Sequence, residues 1–308
     1  MLKVTKKNKV LYYLEGYSRI IFPSHKSYDK VLSRLEKKLQ KNTLDKCRER
    51  VDYYCKTSLR NDAALHKIKD LKHPKTPKSY YFDTYQYACL FDEDMGINFL
   101  FGDITSVPEL PSIVKSRPIN DFNTNSIILK LDKARHFVWV KDTVPFSEKK
   151  DILLGRGAIY QRHREHFYEL YFGHPLCDLG QTNKACHPEW LKPKLSLLEH
   201  LKYKFILSLQ GNDVATNLKW IMSSKSLAVM PKPTIETWFM EGMLKGGIHY
   251  IEIKPDYSDL EETLNYYIKN PKECMNIANN ANEYITQFKN KNAEDYCSIL
   301  VLKKYFGL

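Results

Sequence analysis

Residues 201–250 read LKYKFILSLQGNDVATNLKWIMSSKSLAVMPKPTIETWFMEGMLKGGIHY, and this stretch decides the fold class. Residues 205–209 are an apolar run of strand length that Gly211 ends. From 213 to 222 the apolar residues Val214, Leu218 and Ile221 recur at helical spacing. Strand, tight turn and helix start leave backbone N–H groups unpaired at the positive end of a helix dipole, which favours a phosphate or another anion. Lys219 would add a full positive charge there. A second apolar run, 226–230, stops at Pro231. Glu236 and Trp238 follow, a carboxylate and a ring suited to sugar hydroxyls or a base, and residues 248–253 supply a third strand. The alternation predicts an α/β protein, and each junction alone is also compatible with an ordinary strand-to-helix turn.

Outside this stretch the same reading continues. Residues 10–23 predict a short helix docked on the protein body or on a membrane surface. One or two amphipathic helices are expected over 28–56, a helix over 79–91 and a buried strand over 96–101. Pro108 and Pro111 keep residues 104–111 irregular, and a loop leaving a strand end is the usual address of site residues in open α/β sheets. Residues 125–131 and 136–140 read as strands. Residues 151–154 lead into the glycine turn 155–157 and a helix to 171. Ser258 and Glu261 have capping-box spacing for a helix to 269, and two further helices fill 271–289 and 295–306.

Five segments carry a resemblance: Tyr203-Lys-Phe-Ile-Leu, Gly211-Asn-Asp-Val-Ala-Thr-Asn-Leu-Lys-Trp220, Met230-Pro-Lys-Pro-Thr-Ile-Glu-Thr-Trp238, His249-Tyr-Ile and Asp256-Tyr-Ser-Asp-Leu260. Residues 203–288 resemble the C-terminal half of glycosyltransferase family 90. That family holds the LpsA-like bacterial lipopolysaccharide glycosyltransferases, the protein O-glucosyltransferases and the capsule-associated xylosyltransferases. Upstream likeness extends the resemblance over residues 80–305. It implies a GT-B architecture, two Rossmann-like α/β domains facing across a cleft. Residues 1–145 would be the acceptor side with a basic helical N-terminal region, and 146–308 the nucleotide-sugar domain.

The resemblance further implies an inverting, metal-independent transfer from a UDP-sugar (UDP-glucose, UDP-galactose or UDP-xylose) to a hydroxyl of a bacterial glycolipid. The lipopolysaccharide core is the leading acceptor and a capsule or O-chain the alternative. The segment 101–111, FGDITSVPELP, matches the family segment whose aspartate is the catalytic base, which places that role on Asp103. Arg156 and Gly157 match the donor-site arginine and glycine, and a guanidinium fork suits a diphosphate. Gly211, Asn212, Asp213, Val214, Ala215, Thr216 and Asn217 match the donor-binding turn, with Glu236 also on the donor side. Eukaryotic members carry an arginine where Asn217 stands, so Lys219 or Lys115 is expected to compensate. Lys115 and Arg117 are candidate contacts to an anionic donor or acceptor, or members of a solvated loop.

Composition bounds the alternatives. An apolar share of 43% over 308 residues is enough for two cores, which makes the chain globular. The net charge of +12 is concentrated at one end. Residues 1–80 hold 21 Lys and Arg against 8 Asp and Glu, whereas the rest balances at 27 against 28. A basic quarter of this kind fits a solvated face or an anionic surface such as nucleic acid, lipid headgroups or a phosphorylated glycolipid. A basic nucleic-acid-binding protein and a non-catalytic glycan-binding protein are the competing classes, and no recognised nucleic-acid module supports the first. Seven scattered cysteines, no long apolar window and no signal-peptide core point to a cytoplasmic protein, peripheral at the inner face of the inner membrane if it meets lipid.

Other signals carry less. Asp92-Glu93-Asp94 satisfies the D-x-D pattern of metal-dependent transferases but precedes a strand, so an acidic turn is expected. Cys177, Cys186, His187, His163 and His166 lack zinc-motif spacing. The chain has no G-x-S-x-G, Walker A or G-x-G-x-x-G motif, which counts against hydrolase, nucleotidase and dehydrogenase readings.

Overall fold

A computed structural model describes residues 3–5, 8–23, 27–184 and 187–308. The chain forms two compact units. A helix-rich unit takes residues 8–136, 234–242 and 287–308, and a parallel-sheet unit takes 137–233 and 243–286 with the strand Lys3–Thr5.

The helix-rich unit begins with α1 (Lys9–Ile21), α2 (Tyr28–Glu36), α3 (Lys41–Tyr54) and α4 (Lys78–Ala88). Asn8 caps α1, its side chain accepting from the N–H groups of Val10 and Leu11. Gly16 lets α1 close on α4, since a Cβ there would lie 2.5 Å from the Phe82 ring. The helix Lys291–Tyr305 packs against α2, α3 and α4 and is buried almost all round, so its sequence lacks a polar stripe.

Short strands complete this unit: β1 (Phe99–Leu100), β2 (Ser112–Val114), β3 (Ser116–Pro118) and β4 (Ser126–Ile128). β1, β2 and β4 form a parallel sheet in that order, and β3 pairs antiparallel with Ile235–Thr237, setting Arg117 opposite Glu236. The single strand expected over 96–101 is split at Asn98. Its side chain bonds Leu65 N–H and Ala63 carbonyl, and its N–H donates to Tyr305 Oη, so the residue is held by groups outside the ladder. The strand expected over 136–140 becomes the turn of helix Lys133–His136 and the strand Trp139–Lys141.

The parallel-sheet unit holds β5 (Lys150–Gly157), α5 (Arg162–Tyr171), β6 (Cys177–Gln181), β7 (Tyr203–Leu207), β8 (Leu227–Met230) and β9 (Ile251–Glu252). The order is β6-β5-β7-β8-β9, all parallel. Leu153, Phe205, Val229 and Ile251 lie fully buried in its core, which explains why these strands read as unbroken apolar runs. α6 (Leu260–Lys269) and α7 (Pro271–Tyr284) follow.

Three local expectations are corrected in this unit. Gly155, Arg156 and Gly157 do not form a turn but continue β5, paired with Leu179, Gly180 and Gln181 of β6. Gly155 serves close packing instead, because a Cβ there would meet Leu179 at 2.7 Å. The helix expected over 213–222 shrinks to Leu218–Ile221. Asn217 turns its amide back onto the strand end, donating to Leu207 carbonyl at 2.9 Å and accepting from Ser208 Oγ at 3.1 Å, which holds 208–217 as a loop. The capping box fails likewise: Ser258 bonds Asp256, and α6 starts at Leu260.

Candidate active site

In the parallel-sheet unit, strand order reverses between β5 and β7, the place where open α/β sheets bind ligands at strand C-terminal ends. Two loops leave the sheet there, 158–161 after β5 and 208–217 after β7. Arg164 ties them together by donating to the carbonyls of Ala158, Leu209 and Gln210 at 2.8–2.9 Å. His163 bonds Gln210 carbonyl, and Gln161 bonds the Asn212 side chain at 2.8 Å. The first half of the 208–217 loop is thus held by Gln161 and the first turn of α5, a helix that the sequence predicted without this role.

Arg156 lies near the end of β5, and its side chain turns back along the sheet to Asp178, whose partner in β5 is Leu154. Its Nη atoms donate to the backbone carbonyls of Gly155 and Asp178 and to Asp178 Oδ1, the last two at 2.7 Å. Gly180 makes room, since a Cβ there would stand 3.0 Å from the guanidinium carbon. Arg156 Nε is buried and has no hydrogen-bond partner among the described residues. A buried N–H is seldom left unpaired. A methyl at Gly157 would meet nothing within 4 Å, which leaves open space on the face of β5 opposite the Arg156 side chain.

Lys192 and Tyr203 also reach Asp178, at 3.0 and 2.9 Å. Partial burial pushes the Asp178 carboxyl up, but the bonds from Arg156, Lys192 and Tyr203 outweigh it and hold the group down at about 2.

The other donor-side candidates divide. Asn212 is exposed and Thr216 half-buried on the loop, whereas Asp213, Val214 and Ala215 are buried. Lys219 is fully buried, its ammonium 5.8 Å from the centre of the Phe137 ring, so it is not presented at the loop surface as expected.

In the helix-rich unit, Asp103 sits on the irregular loop after β1, next to Gly102 at φ +141°. Its carboxylate is ion-paired with Lys115, which is itself buried, yet a quarter of the Asp103 side chain stays exposed. Asp132, which the sequence reading passed over, belongs to the same electrostatic group. Burial pushes its carboxyl above the usual range; Arg135 and Lys115 pull it down, and Asp83 and Asp103 push it up. It sits just past β4 at φ +52°, and the strand-end reasoning that found Asp103 applies to it equally.

Arg117 and Glu236 are not surface groups. Arg117 donates through Nε to Glu236 at 2.7 Å and through its Nη atoms to the carbonyls of Tyr53, Tyr54 and Ser126. Tyr53 donates to the other Glu236 oxygen. Both partners are about as buried as core residues, so Glu236 is taken up by protein rather than presented to a sugar. Trp238 is corrected in the same way: it stacks on Tyr54 at 4.0 Å, and its Nε1 donates to the buried Glu294, which Arg50 and Lys130 neutralise.

Glu93 and Asp94 form an acidic turn bridged to Lys72, Lys67 and Lys69. His163 is engaged by Gln210 carbonyl, His187 lies between Glu165 and Glu189, and Cys186 lies outside the described residues.

A family model described as Glycosyl transferase family 90 matches residues 176–308. The O-glucosyltransferase LpsA of Dichelobacter nodosus is 45% identical over 234 residues, covering 75% of this chain and 73% of that protein. The O-glucosyltransferase rumi of Drosophila melanogaster is 25% identical over 178 residues, covering 54% of this chain and 42% of that protein. The similarity to the bacterial relative runs through most of both chains, and the protein is therefore a glycosyltransferase belonging to family 90.

Proposed function

We propose that this protein is an inverting glucosyltransferase of the GT-B type that uses UDP-glucose and a hydroxyl of a bacterial surface glycolipid, the lipopolysaccharide core foremost. Glucose as the donor sugar is supported by the name of the bacterial relative, an O-glucosyltransferase, and the glycolipid by its designation LpsA. The observation that carries the reading is the buried Arg156 Nε, unpartnered among the described residues, on the strand next to the strand-order reversal.

In this reading Arg156 and the 211–217 loop hold UDP, and the base is a carboxylate. The acceptor hydroxyl has a pKa far above neutrality, so a carboxylate that takes its proton as the new bond forms contributes about 10²–10⁴-fold. Asp103 has that role, and Lys115 fixes its orientation. Charge that builds on the departing UDP meets Arg156, with Lys192 close by on the shared Asp178, so no metal is required. Access to a lipid-linked acceptor places the protein at a membrane surface; among the described residues no helix is long and apolar enough to cross one.

Thermal unfolding with UDP, UDP-glucose, UDP-galactose, UDP-xylose and ADP in EDTA tests the reading. A ligand at 100 times its dissociation constant adds about 2.7 kcal/mol of stability. Stabilisation by UDP and UDP-glucose alone is expected; a response only with divalent metal, or none to any nucleotide, would contradict it.

A further inference from the structure

α1 has two apolar faces. Tyr12 and Gly16 pack it onto α4. On another side Val10, Leu11, Leu14, Tyr17 and Ile21 recur at helical spacing, with Phe22 just past the end. Tyr17 is 38% exposed and the others between 58% and 77%, so this stripe covers about a third of the helix circumference and faces solvent. A contiguous apolar stripe on a soluble surface marks a contact site.

The surrounding charge selects the partner. Lys78 donates to Tyr17 Oη at 2.7 Å and lies 5.4 Å from the ring centre. At the other end Phe22 shares a hollow of about 270 Å³ with Arg19, Arg34, Val31 and Leu35, where Asp295 is the carboxylate. Lys291 already pairs with that carboxylate. A second copy docked symmetrically would bring like cations together, whereas anionic headgroups would neutralise them. The surplus of positive charge in residues 1–80 acts in the same direction.

We propose that α1 lies in the plane of an anionic bilayer, its stripe at the boundary of headgroups and acyl chains and Lys78 and Arg34 on lipid phosphates, while Arg19 stays paired with Glu15 at 3.7 Å. Tyr17 and Phe22 suit that boundary, where aromatic rings concentrate. The inference deepens the glycolipid reading above, but its observations belong to α1 and its neighbours alone.

The test is co-sedimentation of the full chain with vesicles of phosphatidylcholine alone and of equal parts phosphatidylcholine and phosphatidylglycerol. Binding to the anionic vesicles only is expected. It should weaken about tenfold or more in the double variant Leu14→Asp with Ile21→Asp, and about fivefold in Lys78→Gln or Arg34→Gln. Both aspartates replace exposed side chains, so the unfolding transition and its shift by UDP should stay unchanged. No vesicle binding, equal binding to both vesicles, or full binding by the double variant would overturn the inference. So would a dimer in solution that the same double variant abolishes. Loss of the UDP shift in wild-type protein that still binds vesicles would strike the transferase reading and leave this one standing.

Discussion

Two arginines, both nominated as site residues, end in opposite circumstances. Arg117 is 1% exposed, and all three guanidinium nitrogens donate to Glu236 or to backbone carbonyls. Arg156 also meets a carboxylate, but Asp178 keeps more than a quarter of its side chain exposed and Arg156 Nε has no partner among the described residues. A fully satisfied buried arginine holds a fold together. An arginine with one buried donor left over is, in the proposed reading, prepared for a ligand that the chain does not itself supply.

The largest effect should come from breaking the first pair. Removing one partner of a buried ion pair strands the other charge, so Glu236→Ala or Arg117→Ala should lose about 3–5 kcal/mol in chemical denaturation. A loss below about 1 kcal/mol would mean that Arg117 is not structural. Next comes the proposed base: Asp103→Asn should cut transfer by about 10²–10⁴-fold while UDP binding holds, and unchanged turnover would remove Asp103 from that role. Asp132→Asn sharpens this assignment. Because burial raises that carboxyl, its ionised form is disfavoured in the fold, and the variant should be more stable than wild type at neutral pH but not in acid.

Acid titration reads the second pair. Asp178 is held near 2 against the usual 3.8, so the unfolded chain takes up the proton first. Its contribution is therefore fully present above the unfolded value and is lost as pH falls from about 4 to 2. Unfolding followed down that window should show a stability loss in wild type that Asp178→Asn lacks; parallel curves would contradict the assignment.

The parallel sheet was legible because strands buried on both faces leave runs such as residues 205–209 and 226–230. The turns were less so. Whether Gly155 to Gly157 turn or continue a strand depends on what lies across from them, here Leu179 and Gly180, and β6 leaves little trace in its own sequence, CDLGQ. Asn217 reads as a helix residue until its amide finds Leu207 carbonyl. The candidate site was half visible: Asp103, Arg156 and the 211–217 turn came from a family resemblance. Asp178 meets Arg156 22 residues away, Arg164 meets Leu209 45 residues away and Asp132 is shifted by burial, none of which spacing encodes. Glu236 and Trp238 misled because a carboxylate and a ring in a core look the same in sequence as a carboxylate and a ring in a site.

The central claim is that Arg156, unlike Arg117, is kept for a ligand. UDP titrated calorimetrically into wild type and Arg156→Lys tests it most directly, because lysine keeps the charge but loses the planar fork and the Nε donor. The account predicts affinity about tenfold weaker with an unfolding free energy within about 1 kcal/mol of wild type. Equal affinity in the two proteins, accompanied by a large loss of stability, would make Arg156 a second Arg117 and contradict it.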